Sequence, residues 1–253
     1  MKALVLLSQG RHPVSAKPCL LRAEAQAARL AAGLDARATG LHAGPALGAV
    51  REALGRGLAG LTHLRMAADA DPVPALAAEI ATAAPDVVFA GPRGQGGEDT
   101  GLVPYALAHR LGWPLLPDAV ALVPGVEAGT MVVEQALPKG ARRRVTVRLP
   151  IVVTVHAGAP APLPFAFAKA RRGDVDVRAA EGPVCAPEGE ERPYRKRPKL
   201  AARPLGGTAA ERLAAATGGS AAGGRVLVRP APEEAAREIL AFLRQIGMPK
   251  SAR

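Results

Sequence analysis

Aromatic residues are scarce in this chain, making up 3% of its 253 positions. Any core must therefore be aliphatic, drawn from the abundant Ala, Leu and Val. Cysteine is nearly absent. Cys19 and Cys185 alone cannot form a disulfide framework, and the expectation is a reduced, cytoplasmic protein. Long apolar runs are missing too. Ala3-Leu-Val-Leu-Leu7 is too short for a signal-peptide core or a membrane span, so it reads as a buried first strand without membrane insertion. No Cys/His spacing fits a zinc site, and no G-x-S-x-G elbow, phosphate-loop signature or H-E-x-x-H occurs. Neither a catalytic triad nor a carboxylate dyad is visible. The sequence assigns no catalytic residue and no metal ligand.

Acidic residues are outnumbered, 22 against 33 Lys and Arg, for a net charge of +11. The cations gather at 139–148, 169–172 and 192–203. Nucleic-acid binding is one reading of such clusters. It is disfavoured because no stacking aromatics are interleaved with them; Tyr194 stands alone nearby. Docking to an acidic protein surface, or simple solvation, fits better.

Hydrophobic periodicity predicts strands at 3–7, 38–41, 61–66, 87–90 and 120–123, with helices at 22–32, 47–58, 74–84 and 102–111 between them. Such alternation predicts an α/β fold, a mostly parallel doubly wound sheet with helices on both faces. Beyond residue 125 the period changes to two. Thr130 to Gln135 and Arg143 to Leu149 predict an antiparallel hairpin, and Pro150 to Val155 a further buried strand. The organisation expected is a core with hairpin at 1–156, a short loop at 157–172, and an extended basic Pro/Gly-rich arm at 173–224 with a short helix near 209–216. A C-terminal strand (225–228) and amphipathic helix (233–246) occupy 225–253, packed on a partner or on the core.

Ligands of such sheets bind at the carboxyl ends of the strands, so the candidate site is the loops Ser8 to Cys19, His42 to Pro45 and Gly91 to Gly101. The loop after the strand at 87–90 is glycine-rich and opens a helix: Gly91, Pro92, Arg93, Gly94, Gln95, Gly96, Gly97, Glu98, Asp99, Thr100 and Gly101 lead into Leu102 and Val103. Backbone N–H groups in such a turn can cradle a phosphate at a helix N-terminus. Glu98 and Asp99 could serve as acid/base groups, but favourable placement at the helix N-terminus explains them better. His12 and His42 fall at strand ends and are candidates to line the pocket. His63 and His109 read as structural or surface residues. Cys19 reads as an inert small hydrophobe rather than a nucleophile.

Taken in order, several short segments resemble the β subunit of electron transfer flavoproteins, with an adenine-nucleotide α-hydrolase-like fold. They are Ala3-Leu-Val-Leu-Leu7, Leu41-His-Ala-Gly-Pro45, Val87-Val-Phe-Ala-Gly91 with its acidic loop to Gly101, Leu111-Gly-Trp-Pro114, Arg148-Leu-Pro-Ile-Val-Val-Thr-Val155, and Pro162-Leu-Pro164 followed by Lys169-Ala-Arg-Arg172. The resemblance covers most of 1–172. It implies a heterodimer with an α subunit that holds most of the FAD. It implies electron flow from a flavin-dependent dehydrogenase to a quinone reductase or other acceptor. It also implies a strand-end pocket for AMP, or for a second FAD in bifurcating members. By this resemblance Leu6, Lys17, Pro18, Cys19, Leu20 and Ala43 join residues 91–103 as the nucleotide site. His12, Pro13 and Cys19 lie near the shared flavin. Pro162, Leu163, Pro164, Phe165, Phe167, Lys169, Arg171 and Arg172 form the loop that recognises the dehydrogenase, with Leu163 as its exposed anchor.

The chain departs from the family pattern at the site itself. Lys17-Pro-Cys19 replaces Asn-Pro-Phe, and Pro13 stands where a tyrosine is usual. Gly94, Gly101, Leu102 and Val103 replace most of the amide side chains of the phosphate loop. The alternative reading is an independent adenine-nucleotide-binding regulatory domain of the stress-protein type. The hairpin and long arm argue against it.

Overall fold

The computed structural model describes residues 1–94, 99–184, 193, 208–209 and 227–245. The chain divides into two compact units, Met1–Gly189 and Glu190–Arg253.

In the first unit, β1 (Ala3–Leu7) leads through a small hairpin of β2 (Gln9–Arg11) and β3 (Pro18–Leu20) into α1 (Arg22–Leu34). Next come β4 (Thr39–Gly44), a 3₁₀ helix (Gly48–Arg56), β5 (Gly60–Arg65), α2 (Val73–Ala83), β6 (Val87–Ala90), α3 (Val103–Leu111) and β7 (Leu115–Pro124). The antiparallel strands β8 (Thr130–Ala136) and β9 (Arg142–Arg148) precede β10 (Ile151–Val155). The unit closes with α4 (Phe167–Arg172) and β11 (Asp174–Ala179). The described strands of the main sheet run in the order β11-β5-β4-β1-β6-β10-β7-β8-β9, parallel as far as β7 and antiparallel beyond it.

Alternation along β1 builds the two faces of this sheet. Ala3, Val5 and Leu7 point into a core with Val87, Phe89, Val153 and the alanines 27, 28 and 31 of α1. Leu4 and Leu6 point the other way, into a core with Leu41, Val88, Ile80 of α2 and Leu107 of α3. The five residues of β1, and the five of β10, are all buried, as a strand covered on both faces requires. Alanine on α1 lets its helix lie close to the sheet. The expected aliphatic core is present, with Phe89 its single fully buried aromatic among the described residues.

Several elements differ from the sequence expectation. The helix expected over 47–58 is 3₁₀ over Gly48–Arg56. It holds Gly48 and Gly55 and stops at Gly57, a poor composition for an α-helix, and its Val50, Ala53 and Leu54 are buried. β7 starts at Leu115, not at 120. Pro117 obscures it, and the chain accommodates that proline at an irregularity where Asp118 adopts φ 56° and its N–H donates to Thr154 Oγ1 at 3.1 Å. The short β2–β3 hairpin and α4 were not anticipated. Asp174–Ala179, read as the start of the basic arm, forms β11 and pairs in parallel with β5. The helix expected near 209–216 falls almost wholly outside the described residues. Of the strand expected at 225–228, Leu227 and Val228 are described and are not in a strand.

In the second unit, α5 (Pro232–Gln245) is the expected amphipathic helix, with Glu233 and Glu234 in its first turn, where the helix dipole favours them.

Candidate nucleotide crevice and docking arm

From β1 the sheet builds outward through β4 and β5 on one side, then crosses back to β6 on the other. The carboxyl ends of β1 and β6 therefore flank the switch point of the sheet, where open α/β sheets place their ligands. Gly91 sits there, buried at the end of β6. A Cβ on it would lie 3.2 Å from Glu24 Cγ, a tight contact that glycine avoids. The return of the loop needs Gly101, whose φ is +75° and where a Cβ would meet the Pro92 carbonyl at 2.8 Å. Leu6 is buried within β1 and Ala43 half-buried on β4. Pro92, Arg93, Asp99, Thr100 and Leu102 are exposed; Gly94 and Val103 are half-buried; Gln95, Gly96, Gly97 and Glu98 lie outside the described residues. The Leu102 N–H donates to Thr100 Oγ1 at 3.3 Å, fixing the entry to α3.

The hairpin brings the other expected residues near the end of β1. Lys17 and Pro18 are exposed there, and Cys19 and Leu20 half-buried. His12 is exposed, and its Nδ1 accepts from the N–H groups of Val14 (3.3 Å) and Ser15 (3.2 Å), which holds the hairpin turn.

His42 does not line the pocket, contrary to the sequence expectation. It is buried, with Nδ1 2.9 Å from the Leu7 carbonyl and Nε2 3.1 Å from the Ala46 carbonyl. Burial holds its pKa below the ordinary histidine value, and a neutral ring can donate to only one of those two oxygens. His63 stacks on it at 5.2 Å and ties to the Gly44 carbonyl at 2.9 Å. The pair fastens the end of β4. His109 is on the surface, as expected.

The sequence reading placed Ser8 in the candidate loop after β1 but missed Glu24. Glu24, in the first turn of α1, is 3% exposed. Its Oε2 accepts from the Ser8 N–H at 2.9 Å and its Oε1 from the Ser8 hydroxyl at 2.5 Å. Burial pushes its carboxyl up to about 8, and the two bonds from Ser8 only partly oppose that. The signal was available: Glu24 falls on the same helical stripe as Ala27, Ala28 and Ala31, where a carboxylate has no place unless it is used.

The segment 157–173 is the second candidate site. It leaves β10, crosses the face carrying α1 and the 3₁₀ helix, and enters β11. Side chains beneath it grip its backbone carbonyls. Gln26 Nε2 donates to the Ala157 and Ala159 carbonyls at 3.1 and 2.6 Å. Arg29 donates to Ala161 at 2.6 Å, and Arg56 to Leu163 at 2.6 Å. Arg51 donates to Ala170, Arg171 and Gly173 at 2.8, 2.9 and 3.2 Å, closing the C-terminal end of α4. Leu163, expected to be exposed, is half-buried and packs against Gly57. Pro162 is likewise half-buried and Pro164 exposed. The apolar surface belongs instead to Phe165 and Phe167, 41% and 65% exposed. Their rings meet edge-on at 6.5 Å, with Arg56 5.3 Å over Phe165 and Arg171 5.9 Å over Phe167. An open groove of about 570 Å³ runs beside them, lined by Ala49, Arg51 and Glu52 as well. Lys169, Arg171 and Arg172 are exposed around it, and no ion pair among the described residues involves them.

A model of the electron transfer flavoprotein domain matches residues 7–182. An electron transfer flavoprotein subunit beta from Chromohalobacter salexigens is 39% identical over 254 aligned residues, covering 96% of this chain and 94% of that protein. The chain belongs to the electron transfer flavoprotein β-subunit family. Both matches include the crevice and the arm. They fall on the electron-transfer reading rather than on the free-standing regulatory domain. Among the described residues, no helix of this family member is long and apolar enough to cross a membrane.

Proposed function

We propose that the chain is the β subunit of a cytoplasmic αβ electron carrier that accepts electrons from a flavin-dependent dehydrogenase and delivers them to a quinone reductase or another acceptor. The reading has no catalytic residue in this chain. FAD, held mainly by the α subunit, supplies the reversible electron store. The exposed turn at His12 and Pro13, with half-buried Cys19 beside it, offers a surface against which a flavin held elsewhere can rest.

The observation that carries the reading is the arm 157–173. A docking surface works best when its apolar contact is held in place before binding, because less conformational entropy is then lost on association. Here four side chains fix the arm from below while Phe165 and Phe167 stand clear. The uncompensated cations around them would steer a partner carrying carboxylates, and the aromatic ring would supply the contact energy. Phe167, the more exposed of the two, takes the anchoring role that the family resemblance implied for Leu163.

The test is co-expression with an α subunit encoded beside it, followed by purification and stopped-flow reduction by candidate dehydrogenases. A yellow heterodimer reduced faster at low than at high ionic strength is expected. A chain that purifies alone and colourless beside a soluble α subunit would refute the reading.

A further inference from the structure

AMP is the ligand that the family resemblance places in the strand-end crevice, and Ser8, Glu24 and Gly91, on its β1 side, do not fit a phosphate. A phosphate at a switch point needs free backbone N–H groups and the room that glycine leaves for close approach. The first N–H beyond β1 is that of Ser8, and it is already spent on Glu24 at 2.9 Å. The Ser8 hydroxyl is spent on the same carboxyl at 2.5 Å. The approach over Gly91 is crowded as well, since Glu24 Cγ lies 3.2 Å from where a Cβ would stand. At the first turn of α1, where the helix dipole would favour a bound anion, the chain has placed an acid of its own. No cation among the described residues lies within ion-pairing distance of Glu24.

We propose that Glu24 is a built-in occupant of the β1 side of the crevice, taking the Ser8 donors and crowding the approach at Gly91 that a nucleotide phosphate would otherwise use, so that this subunit carries no AMP. The inference deepens the electron-carrier reading and rests on it. Below the carboxyl's titration the side chain blocks by occupancy. Once ionised it also repels. A carboxyl buried with a single serine as its partner contributes little to stability, because desolvating it costs more than two hydrogen bonds return. Excluding a ligand is a role that such a group can fill.

The experiment counts nucleotides released by acid from the purified αβ complex and measures AMP affinity by calorimetry on the same preparation. Flavin and no AMP are expected, with no heat on AMP addition. Stoichiometric AMP in the wild-type complex would overturn the proposal. Glu24→Ala frees the Ser8 donors and the space over Gly91, and should raise AMP affinity by roughly tenfold or more. Glu24→Gln keeps the seat filled and should exclude AMP as the wild type does. A well-folded, flavin-loaded Glu24→Ala complex that still ignores AMP would show that Glu24 is not the determinant. A Glu24→Gln complex that binds AMP would overturn occupancy as the mechanism; if Glu24→Ala fails to fold, that variant still decides. The flavin count reports on the electron-carrier reading separately, because a complex lacking flavin fails that reading whatever the AMP measurement shows.

Discussion

The crevice and the arm solve the same physical problem in opposite directions. In both, side chains satisfy backbone groups that loops leave open. In the crevice the Ser8 N–H meets Glu24, whose side chain faces inward and is buried. In the arm the carbonyls of 157–173 meet Gln26, Arg29, Arg51 and Arg56, and the result faces outward, with two phenyl rings raised into solvent. An internal partner can therefore shut a site or present one. Which it does depends on whether the partner fills the ligand's place or lies beneath it.

The contrast can be broken most forcefully at Glu24. Its carboxyl is raised from 4.5 to about 8 by burial. Below pH 4.5 the folded and unfolded chains both hold the proton, and stability is full. Between 4.5 and about 8 the unfolded chain releases it while the folded chain retains it, so stability falls as pH rises, by on the order of 1.4 kcal/mol per pH unit. Glu24→Gln should flatten that slope in thermal unfolding of the complex. An unchanged slope would mean that the carboxyl is not buried in solution. The next largest effect belongs to Phe167→Ala, which should lower the second-order rate of reduction by the dehydrogenase by about thirtyfold, a loss of about 2 kcal/mol. FAD content and melting temperature should not move. Arg56→Ala comes third. It frees the Leu163 carbonyl and unpins Phe165, and should slow reduction by about fivefold through a looser arm. Arg56→Lys should restore part of the rate, since an ammonium can still donate to the carbonyl. The smallest effect on transfer should come from Leu163→Ala, whose side chain packs inward on Gly57. It should cost about 1 kcal/mol of stability and leave reduction nearly unchanged. If Leu163→Ala slows reduction more than Phe167→Ala does, the assignment of the anchor is reversed.

The architecture was legible where burial on both sides writes itself into the sequence. β1, β6 and β10 are short runs of Val, Leu, Ile, Phe and Ala with no polar interruption worth the name, and the helices between them carry apolar stripes. What escaped had weaker signatures. Gln9–Arg11 and Pro18–Leu20 form strands of three residues, too short for any period to show. Asp174–Ala179 alternates Asp and Val, but as an exposed edge strand it lacks the apolar face that would set it apart from the basic segment that follows. At the candidate site the glycine turn was readable because close backbone approach demands a residue type. Glu24 was readable but easily passed over, because a carboxylate in the first turn of a helix has an ordinary electrostatic explanation. Only the neighbouring alanines said which way it pointed. Leu163 and Phe167 stand four residues apart in a proline-rich stretch without periodicity, and nothing local distinguishes the one that turns inward.

The route of the arm has a consequence for enzymatic cleavage. It begins at a central strand, β10, and ends at an edge strand, β11, with Arg51 clasping three carbonyls just before its end. Lys169, Arg171 and Arg172 are therefore exposed side chains on a backbone that cannot open out into a protease's extended binding mode. Trypsin should leave these three bonds intact in the native protein while they remain the most accessible basic positions of the segment. Cutting there under limited digestion would show that the clasp is open in solution. If they survive, scissile bonds at an exposed basic cluster are guarded by a single guanidinium.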